Sequence, residues 1–400
     1  MKAVVRPFDN PELEENVARL RILAYPYFPE VHDVEFYSSF YRWFESHPLA
    51  DEVHRWIVVN EDEEVVGHLA ATPQYYRIGA ERVVAHTPAD YMVHPQYGFH
   101  ALLLMRKFFR ETRNCVACDM VPAVIGVQTR LGAEEVKKLS YAVKLLDVSR
   151  LPAPPVPAPI KRLLNRGEES TYVARGFGNR PDAPSQDVDD DQPPPPRPRA
   201  PIPAPLKRLL NGGLETIDKA LSRGFGSGLK VEVLEGFDAS FDGLFERVAA
   251  AVPCVPEKDA AFLSWRYGPD SPQPPVTVLG VRGEEGLLGY AVLLVTLAGE
   301  DGYVLDLTTL PGRRDVARAL LGEAVRYFRR AGAHIIRYRF IESPTSPRQK
   351  DAWRLGFFLR SGRRHELLVK FADRGQHKAA VDPASWSYSV GDGEASFWIR

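Results

Sequence analysis

The chain carries the same order of predicted strands and helices twice, on either side of a proline-rich middle segment. In residues 1–150 and again in residues 229–373, the hydrophobic pattern predicts a strand, two helices, three strands, a helix, a strand, a helix and closing strands. In both halves the last helix ends at a Leu-Gly pair, Leu131-Gly132 and Leu355-Gly356. This duplication predicts an α/β (α+β) protein of two similar domains, each a mixed, largely antiparallel sheet flanked by helices.

The middle segment is itself built around a repeat. Fifteen of the 34 prolines lie between Pro152 and Pro205, and Pro157–Gly167 and Pro203–Gly213 are near copies centred on Lys-Arg-Leu-Leu. Proline and acidic residues between the copies favour extended or disordered chain. We therefore predict a duplicated, partly disordered linker over residues 151–228. Its Lys-Arg-Leu-Leu units are expected to be short helices that pack their leucines on the domains, or else dock on a membrane surface or partner.

The last segment, residues 374–400, is too aromatic to remain in water. It contains Trp386, Tyr388, Phe397 and Trp398. We expect this tail to fold back on a domain or a partner and to cover a patch or a cleft.

Composition excludes several classes of protein. The net charge of −1 gives no basic field for nucleic acid, and no apolar run approaches the ~18 residues that span a membrane. Three cysteines and a start without a signal-peptide pattern predict a reducing, cytoplasmic location. Cys115 and Cys118 are three apart on a predicted strand and so face opposite sides, and no metal site is expected. No Ser-His-Asp elbow or Walker loop is present.

Four local motifs resemble the GNAT acetyltransferase superfamily, here as a tandem of two divergent copies. Glu64–Ala71 resembles its third strand, Asp90–Gly98 its fourth strand and the start of its cofactor loop, and Asp351–Phe357 its terminal helix and "LGF" turn. Leu263–Tyr267 is similar to the "WRY" segment of bacterial tandem members. The resemblance covers about residues 1–150 and 229–373.

The resemblance implies acetyl-CoA or another acyl-CoA as a substrate held at the start of the third helix. There the family uses glycine-rich backbone and the positive helix end to bind pyrophosphate. In the first copy the implied cofactor-binding residues are Val93, Gly98, Phe99 and His100, with one glycine retained and the family's arginine and second glycine missing. In the second copy Arg313 and Arg314 stand at a helix start and can hold an anion by charge, or simply form a solvated face.

Two carboxylates are the candidate bases for removing a proton from an amine. Asp90 and Asp306 occupy corresponding positions on the two fourth strands, in apolar surroundings that would raise a carboxyl pKa. The alternative is that each bonds a neighbouring backbone group or arginine. The family's frequent tyrosine acid is missing, because Gln128 and Ala352 stand at those positions.

The expected function is acyl-CoA-dependent N-acyl transfer to an amine of a small molecule or surface-polymer precursor. Trp265, Arg266 and Tyr267 either line the acceptor cleft or anchor a short helix on the sheet. Two alternatives stay open: a catalytically inactive tandem that serves as a binding or scaffold module, and aminoacyl transfer of the Fem type, which near-neutral charge disfavours. Neither a nucleic-acid partner nor a membrane span is expected, and the oligomeric state stays open.

Overall fold

The structure is a computed structural model that describes residues 2–24, 34–150, 204–222, 228–361 and 364–399. Of the predicted linker, residues 151–228, it describes 204–222 and residue 228. The first copy of the Lys-Arg-Leu-Leu motif lies outside the described residues.

The first half follows the predicted alternation of strands and amphipathic helices. The strands are β1 (Ala3–Pro7), β2 (His54–Asn60), β3 (Val65–Ile78), β4 (Glu81–Val93), β5 (Cys115–Asp119), β6 (Glu134–Lys138) and β7 (Ser140–Leu145). The helices are α1 (Glu14–Ala24), α2 (Val34–Glu45), α3 (Gly98–Glu111) and α4 (Pro122–Arg130).

The second half repeats that order after the helix α5 (Ala204–Ser222). Its strands are β8 (Glu232–Leu234), β9 (Cys254–Pro256), β10 (Val276–Gly283), β11 (Gly286–Val295), β12 (Asp301–Thr309), β13 (Ile335–Phe340), β14 (Phe358–Leu359) and β15 (Glu366–Lys370). Its helices are α6 (Ala239–Ala249), α7 (Ala260–Tyr267), α8 (Arg314–Arg330), α9 (Gln349–Arg354) and α10 (Arg374–Ala380).

The strands form two mixed sheets that exchange their closing strands. The first sheet has the order β1-β2-β3-β4-β5-β15-β6, with β9 on the end of β3, and the second has the order β14-β7-β13-β12-β11-β10-β8. The two closing strands of the second half therefore do not pair with each other, because β14 and β15 lie in different sheets. Each exchanged strand fills an edge that would otherwise expose unpaired backbone groups. The segments 1–150 and 229–373 thus each lend a strand to the other's sheet.

Helices cover both faces of each sheet, as their apolar spacing requires. In the first sheet α1 and α2 pack on one face, with Ile57 and Ala70, and α3 packs on the other, with Trp56 and Leu69. In the second sheet α6 and α7 pack on one face and α8 on the other. None of the helices in the described ranges is long and apolar enough to cross a bilayer.

Each sheet opens into a cleft where its two central parallel strands diverge. β4 and β5 pair at His86 and Cys115, and the gap beyond that pair is called the first cleft. β12 and β13 stay paired as far as Val304 and Tyr338, and the gap beyond is the second cleft. β4 and β12 each have a bulge beside their cleft. The register of β4 with β3 shifts at Asp90, which has a φ of 50°, and the register of β12 with β11 shifts between Val304 and Asp306.

The prediction for the aromatic tail is confirmed, because residues 385–399 run through both clefts. A short 3-10 turn at Val390–Asp392 contacts β12 and β13, and a second at Glu394–Trp398 contacts β4 and β5. Trp386 is fully buried, and Trp398 packs on α2 through Phe40, with ring centroids 4.6 Å apart. The tail lies on the α1–α2 face of the first sheet and the α6–α7 face of the second.

The second Lys-Arg-Leu-Leu copy forms a helix, α5, but polar contacts hold it in place. Lys144 donates to Asp218 at 2.5 Å, and Val148 N–H donates to Asn211 at 2.9 Å. Leu209 is 73% exposed and its neighbour Leu210 is 41% exposed. The expectation that these leucines pack on the domains is therefore wrong for this copy, because the apolar side of α5 faces outward.

Tail burial predicts a large loss of stability on truncating Trp386. Trp386→Ala is expected to lower the free energy of unfolding by about 3–5 kcal/mol, the usual cost of emptying a buried aromatic site. Trp353→Ala is the matched control, since Trp353 is 70% exposed and its loss should change the free energy by less than about 0.5 kcal/mol. Urea denaturation of both variants measures this, and equal losses would contradict the packing described.

Candidate functional site

The first cleft is organised around the carboxylate of Asp90 at the bulge of β4. Arg21 from α1 pairs with one carboxylate oxygen, while Tyr41 from α2 donates to the other at 2.9 Å and His68 from β3 lies 2.9 Å from it. Burial alone would raise the pKa of Asp90, but Arg21 and His68 hold it well below its usual range. A carboxylate paired in this way is a weak proton acceptor. Its contacts with α1, α2 and β3 instead hold the bulge of β4 in position.

A second carboxylate in this cleft comes from the tail. Glu394 accepts a hydrogen bond from the backbone N–H of Asp90 at 3.3 Å and another from Trp398 Nε1 at 2.5 Å. Burial raises its pKa from 4.5 to about 7, because the hydrogen bonds from Trp398 and Asp90 and the charge of Arg21 offset desolvation only in part. Glu394 thus places a carboxyl group with a near-neutral pKa on the bulge of β4.

The second cleft contains a corresponding but more tightly paired cluster. Lys258 bridges Asp306 of β12 at 2.9 Å and Asp392 of the tail at 3.0 Å, and all three side chains are at most 4% exposed. Tyr290 also donates to Asp306 at 2.6 Å. Burial would lower the pKa of Lys258, but the two carboxylates raise it, whereas burial raises the pKa of Asp392 to about 6. This network holds the tail to β12 and leaves Asp306 fully partnered.

The predicted cofactor residues of the first copy lie together where β4 meets α3. His94 N–H donates to Val66 of β3, so the preceding N–H, that of Val93, points to the opposite side, into the first cleft. Gly98 begins α3 and is exposed, and Phe99 is 70% exposed beside it. His100 instead turns inward, 8% exposed, with Nδ1 3.3 Å from Tyr97 O. The α3 face of this cleft therefore presents a strand edge and a helix N-terminus to solvent.

The matching face of the second cleft is closed by the chain itself. Residues 341–348 connect β13 to α9, and their carbonyl groups accept from β12 and the α8 loop: Thr309 N–H to Thr345 O and Gly312 N–H to Pro344 O, both at 2.9 Å. In the first half only Met120 and Val121 separate β5 from α4. The longer connector of the second half therefore occupies the space that corresponds to the open α3 face of the first cleft.

The two arginines predicted to hold an anion are placed at the start of α8. Arg313 is bonded to Asp315 at 2.7 Å, which neutralises part of its charge. Arg314 is the first residue of α8 and is exposed. They lie outside the closed second cleft, on the side of the 341–348 connector.

Trp265, Arg266 and Tyr267 are buried in α7 and join the halves to the tail. Trp265 stacks on Trp43 of α2 with centroids 4.3 Å apart, and each indole N–H donates to the other residue's carbonyl. The Arg266 guanidinium lies 3.9 Å from the centre of the Phe397 ring, and Tyr267 OH donates to Gly391 O at 3.2 Å. The three residues thus anchor the short helix α7 to α2 and to the tail.

The remaining sequence expectations can be placed as well. Cys115 and Cys118 pack into different core clusters on opposite faces of β5, as expected. Gln128, at the position of the missing tyrosine, is 1% exposed, and both atoms of its amide lack a partner within the described residues. Ala352 is fully buried.

Sequence reasoning missed the residues that complete the two clusters. These are Arg21, Tyr41, His68, Lys258, Tyr290, Asp392 and Glu394. A signal for the last two was present, since two acids lie between aromatic residues in a tail expected to be buried. Buried acids of that kind need partners, and those partners are the cleft residues.

Comparison with known proteins places the fold. No family model matches the sequence, and no curated protein is significantly similar to it. Among solved structures, the chain is similar to two GCN5-related N-acetyltransferases. The protein from Anabaena variabilis is 12% identical, with 93% of this chain and 73% of that chain covered and a TM-score of 0.52. The protein from Kribbella flavida is 14% identical, with 91% of this chain and 71% of that chain covered and a TM-score of 0.51. The chain is also similar to Saccharomyces cerevisiae N-myristoyltransferase with bound myristoyl-CoA, at 12% identity, with 92% of this chain and 82% of that chain covered and a TM-score of 0.51. The chain has the GNAT acetyltransferase fold in two copies, as the motifs predicted.

The raised pKa of Glu394 predicts a specific pH dependence of stability. Because its folded pKa (about 7) exceeds its ordinary value of 4.5, the folded state binds the extra proton between these values, and its stability falls as the pH rises through them. Glu394→Gln should remove this decline. Thermal unfolding of both proteins from pH 4 to 8 measures the difference, in which all other titrating groups cancel. Parallel curves would contradict the assignment.

Proposed function

We propose that the protein transfers an acyl group from acyl-CoA to an amine of a small molecule, in the first half. The observation that carries this proposal is the first cleft, which is open on its α3 face and holds the Glu394 carboxyl group on its α1–α2 side. An acyl donor can then reach the bulge of β4 from the α3 face, with the Glu394 carboxyl group on the other side of the strand. The fold shared with acyltransferases supports the proposal.

The acyl-CoA would bind along the open edge of β4. The backbone at Val93 offers hydrogen bonds to an extended chain, and the N-terminus of α3 at Gly98 offers N–H groups and partial positive charge to the pyrophosphate. A Cβ at Gly98 would have no neighbour within 4 Å among the residues that the structure describes, so the space beside it is open to a ligand. The second cleft is a poorer donor site because the 341–348 connector closes it.

Glu394 is the proton acceptor in this proposal. An amine attacks the thioester carbonyl only after its ammonium proton has left, and a carboxylate with a pKa near 7 is matched to that step at neutral pH. The oxyanion then forms beside the β4 backbone, whose N–H groups stabilise it. As it collapses, the carbon–sulfur bond breaks, and the proton that the attacking nitrogen loses goes to the departing CoA sulfur. Asp90 and Asp306 act by positioning: their ion pairs hold the bulge of β4 and the tail.

The acceptor is proposed as an amine of a small molecule or surface-polymer precursor that enters from the α1–α2 side. Trp265 and Arg266 lie at that side, against tail residue Phe397. The second half shapes this region while binding no donor. The identity of the amine rests on the family resemblance.

An inactive binding or scaffold module is the second candidate. The observation that favours it is the tail itself, which enters both clefts and, together with the 341–348 connector, closes the second. The two candidates differ in whether the full chain binds CoA.

Calorimetry of CoA and acetyl-CoA with the full chain decides between them. We expect one equivalent to bind and Gly98→Trp to weaken binding at least tenfold, because the indole would fill the pyrophosphate position. Gly243→Trp, at an equally uncrowded and exposed helix glycine of the second half, is the control. Reversing the charge of Arg313 and Arg314 should leave affinity unchanged. Absence of binding at CoA concentrations up to millimolar would exclude the acyltransferase proposal.

The role of Glu394 predicts a rate effect without a binding effect. With any primary amine that supports acetyl-CoA turnover, Glu394→Gln should lower kcat by about 10²–10⁴-fold, the usual contribution of a positioned base, and leave CoA affinity intact. The rise of the pH–rate profile through about pH 7, where the Glu394 carboxylate forms, should also disappear. Glu284→Gln, at an exposed loop carboxylate, is the control. Unchanged kcat in Glu394→Gln would remove Glu394 from the mechanism.

A further inference from the structure

A cluster of metal-ligating side chains lies away from both clefts. Glu52, His54 and His86 bring one ligand atom each to within 4.8 Å of one another. Glu52 ends the 3-10 turn Ala50–Glu52, His54 begins β2, and His86 is in β4. The proposed acyl transfer uses none of the three.

The sheet register explains why the two histidines meet. His54 pairs with Ala71 of β3, and His86 pairs with Pro73 of the same strand from its other side. Residues two apart on a strand face the same side, so both imidazoles project from one face. The β3 residues that face this side between them, Ala71 and Pro73, are small. The two imidazole rings are therefore nearly parallel, with their centroids 5.6 Å apart.

His86 has the properties of a prepared ligand. It is 5% exposed, and its ring lies beside the other two potential ligands. Its Nε2 lies 3.0 Å from the carbonyl oxygen of Glu52, which fixes the ring, and its Nδ1 is buried without a partner in the described part of the chain. Since Nε2 also faces the Glu52 carboxylate, an ion bound at Nε2 would replace its hydrogen bond to the carbonyl and leave the ring proton on Nδ1.

The remaining charges around the cluster favour a cation. The Glu52 carboxylate approaches His86 Nε2 to 3.9 Å, and its side chain is 52% exposed and free to reorient. Arg55, beside His54 in β2, points to the opposite face, where it lies over the Tyr41 ring and pairs with Glu14. The site therefore combines two imidazoles with one carboxylate and keeps the adjacent arginine on the other side of the sheet.

We propose that Glu52, His54 and His86 bind a divalent transition-metal ion of the Zn²⁺ class. Two histidines and one carboxylate form a ligand set that suits Zn²⁺, with water completing the coordination. Metal–ligand bonds of about 2.0–2.2 Å require the ligand atoms to close inward, and the exposed Glu52 supplies that movement. The ion would tie the start of β2 to β4 at the residue where β4 leaves β5.

Zinc titration of the full chain, first stripped with a chelator, tests the site by calorimetry. We expect one equivalent of Zn²⁺ to bind with a Kd of about 1 µM or tighter and to raise the thermal midpoint. Co²⁺ should bind at the same stoichiometry with a visible absorption band. His54→Ala and Glu52→Gln should each weaken binding by at least tenfold. These two are chosen because His86 is buried and its replacement also disturbs folding.

Two controls keep the outcome specific. His334→Ala, at a histidine outside the cluster, should bind Zn²⁺ as the unaltered chain does, and Cys115→Ser should as well, since burial raises the pKa of that thiol. Failure to bind one equivalent would overturn the proposal. So would binding that survives both His54→Ala and Glu52→Gln, or that is lost in Cys115→Ser. None of these results depends on CoA binding.

Discussion

Two tail carboxylates, two residues apart, connect the bulged strands of the two sheets. Asp392 meets Lys258 and, through it, Asp306 on β12, while Glu394 accepts the Asp90 N–H on β4. Buried carboxylates are stable only with such partners, so the tail can settle only where both are supplied. The shape of both clefts follows from this arrangement, since the tail occupies the same side of each.

The two copies of the fold have become unequal while remaining inseparable. Exchange of β7 and β15 makes each sheet depend on the other half, and the reciprocal Trp43–Trp265 contact closes the interface. The short connector after β5 leaves the α3 face open, whereas residues 341–348 close the corresponding face after β13. This asymmetry supports the proposal that the donor site lies in the first half.

The sequence predicted the duplication, the burial of the tail and the divided faces of β5, because apolar spacing and aromatic content carry those features. It did not predict the strand exchange, since β15 has the same apolar pattern whichever sheet it joins. Glu394 was missed because no local pattern marks a carboxylate whose partner lies 304 residues away. The exposure of the α5 leucines was not predicted, because an amphipathic pattern does not show which face of a helix contacts the rest of the protein.

The most direct test of this account is a crystal structure of the full chain with bound CoA. The account predicts CoA along the open edge of β4, with its pyrophosphate at the N-terminus of α3 near Gly98. Glu394 should remain on the bulge of β4, and residues 341–348 should still close the second cleft. CoA in the second cleft, or a tail displaced from the first, would contradict the assignment of donor and base to opposite faces of one cleft.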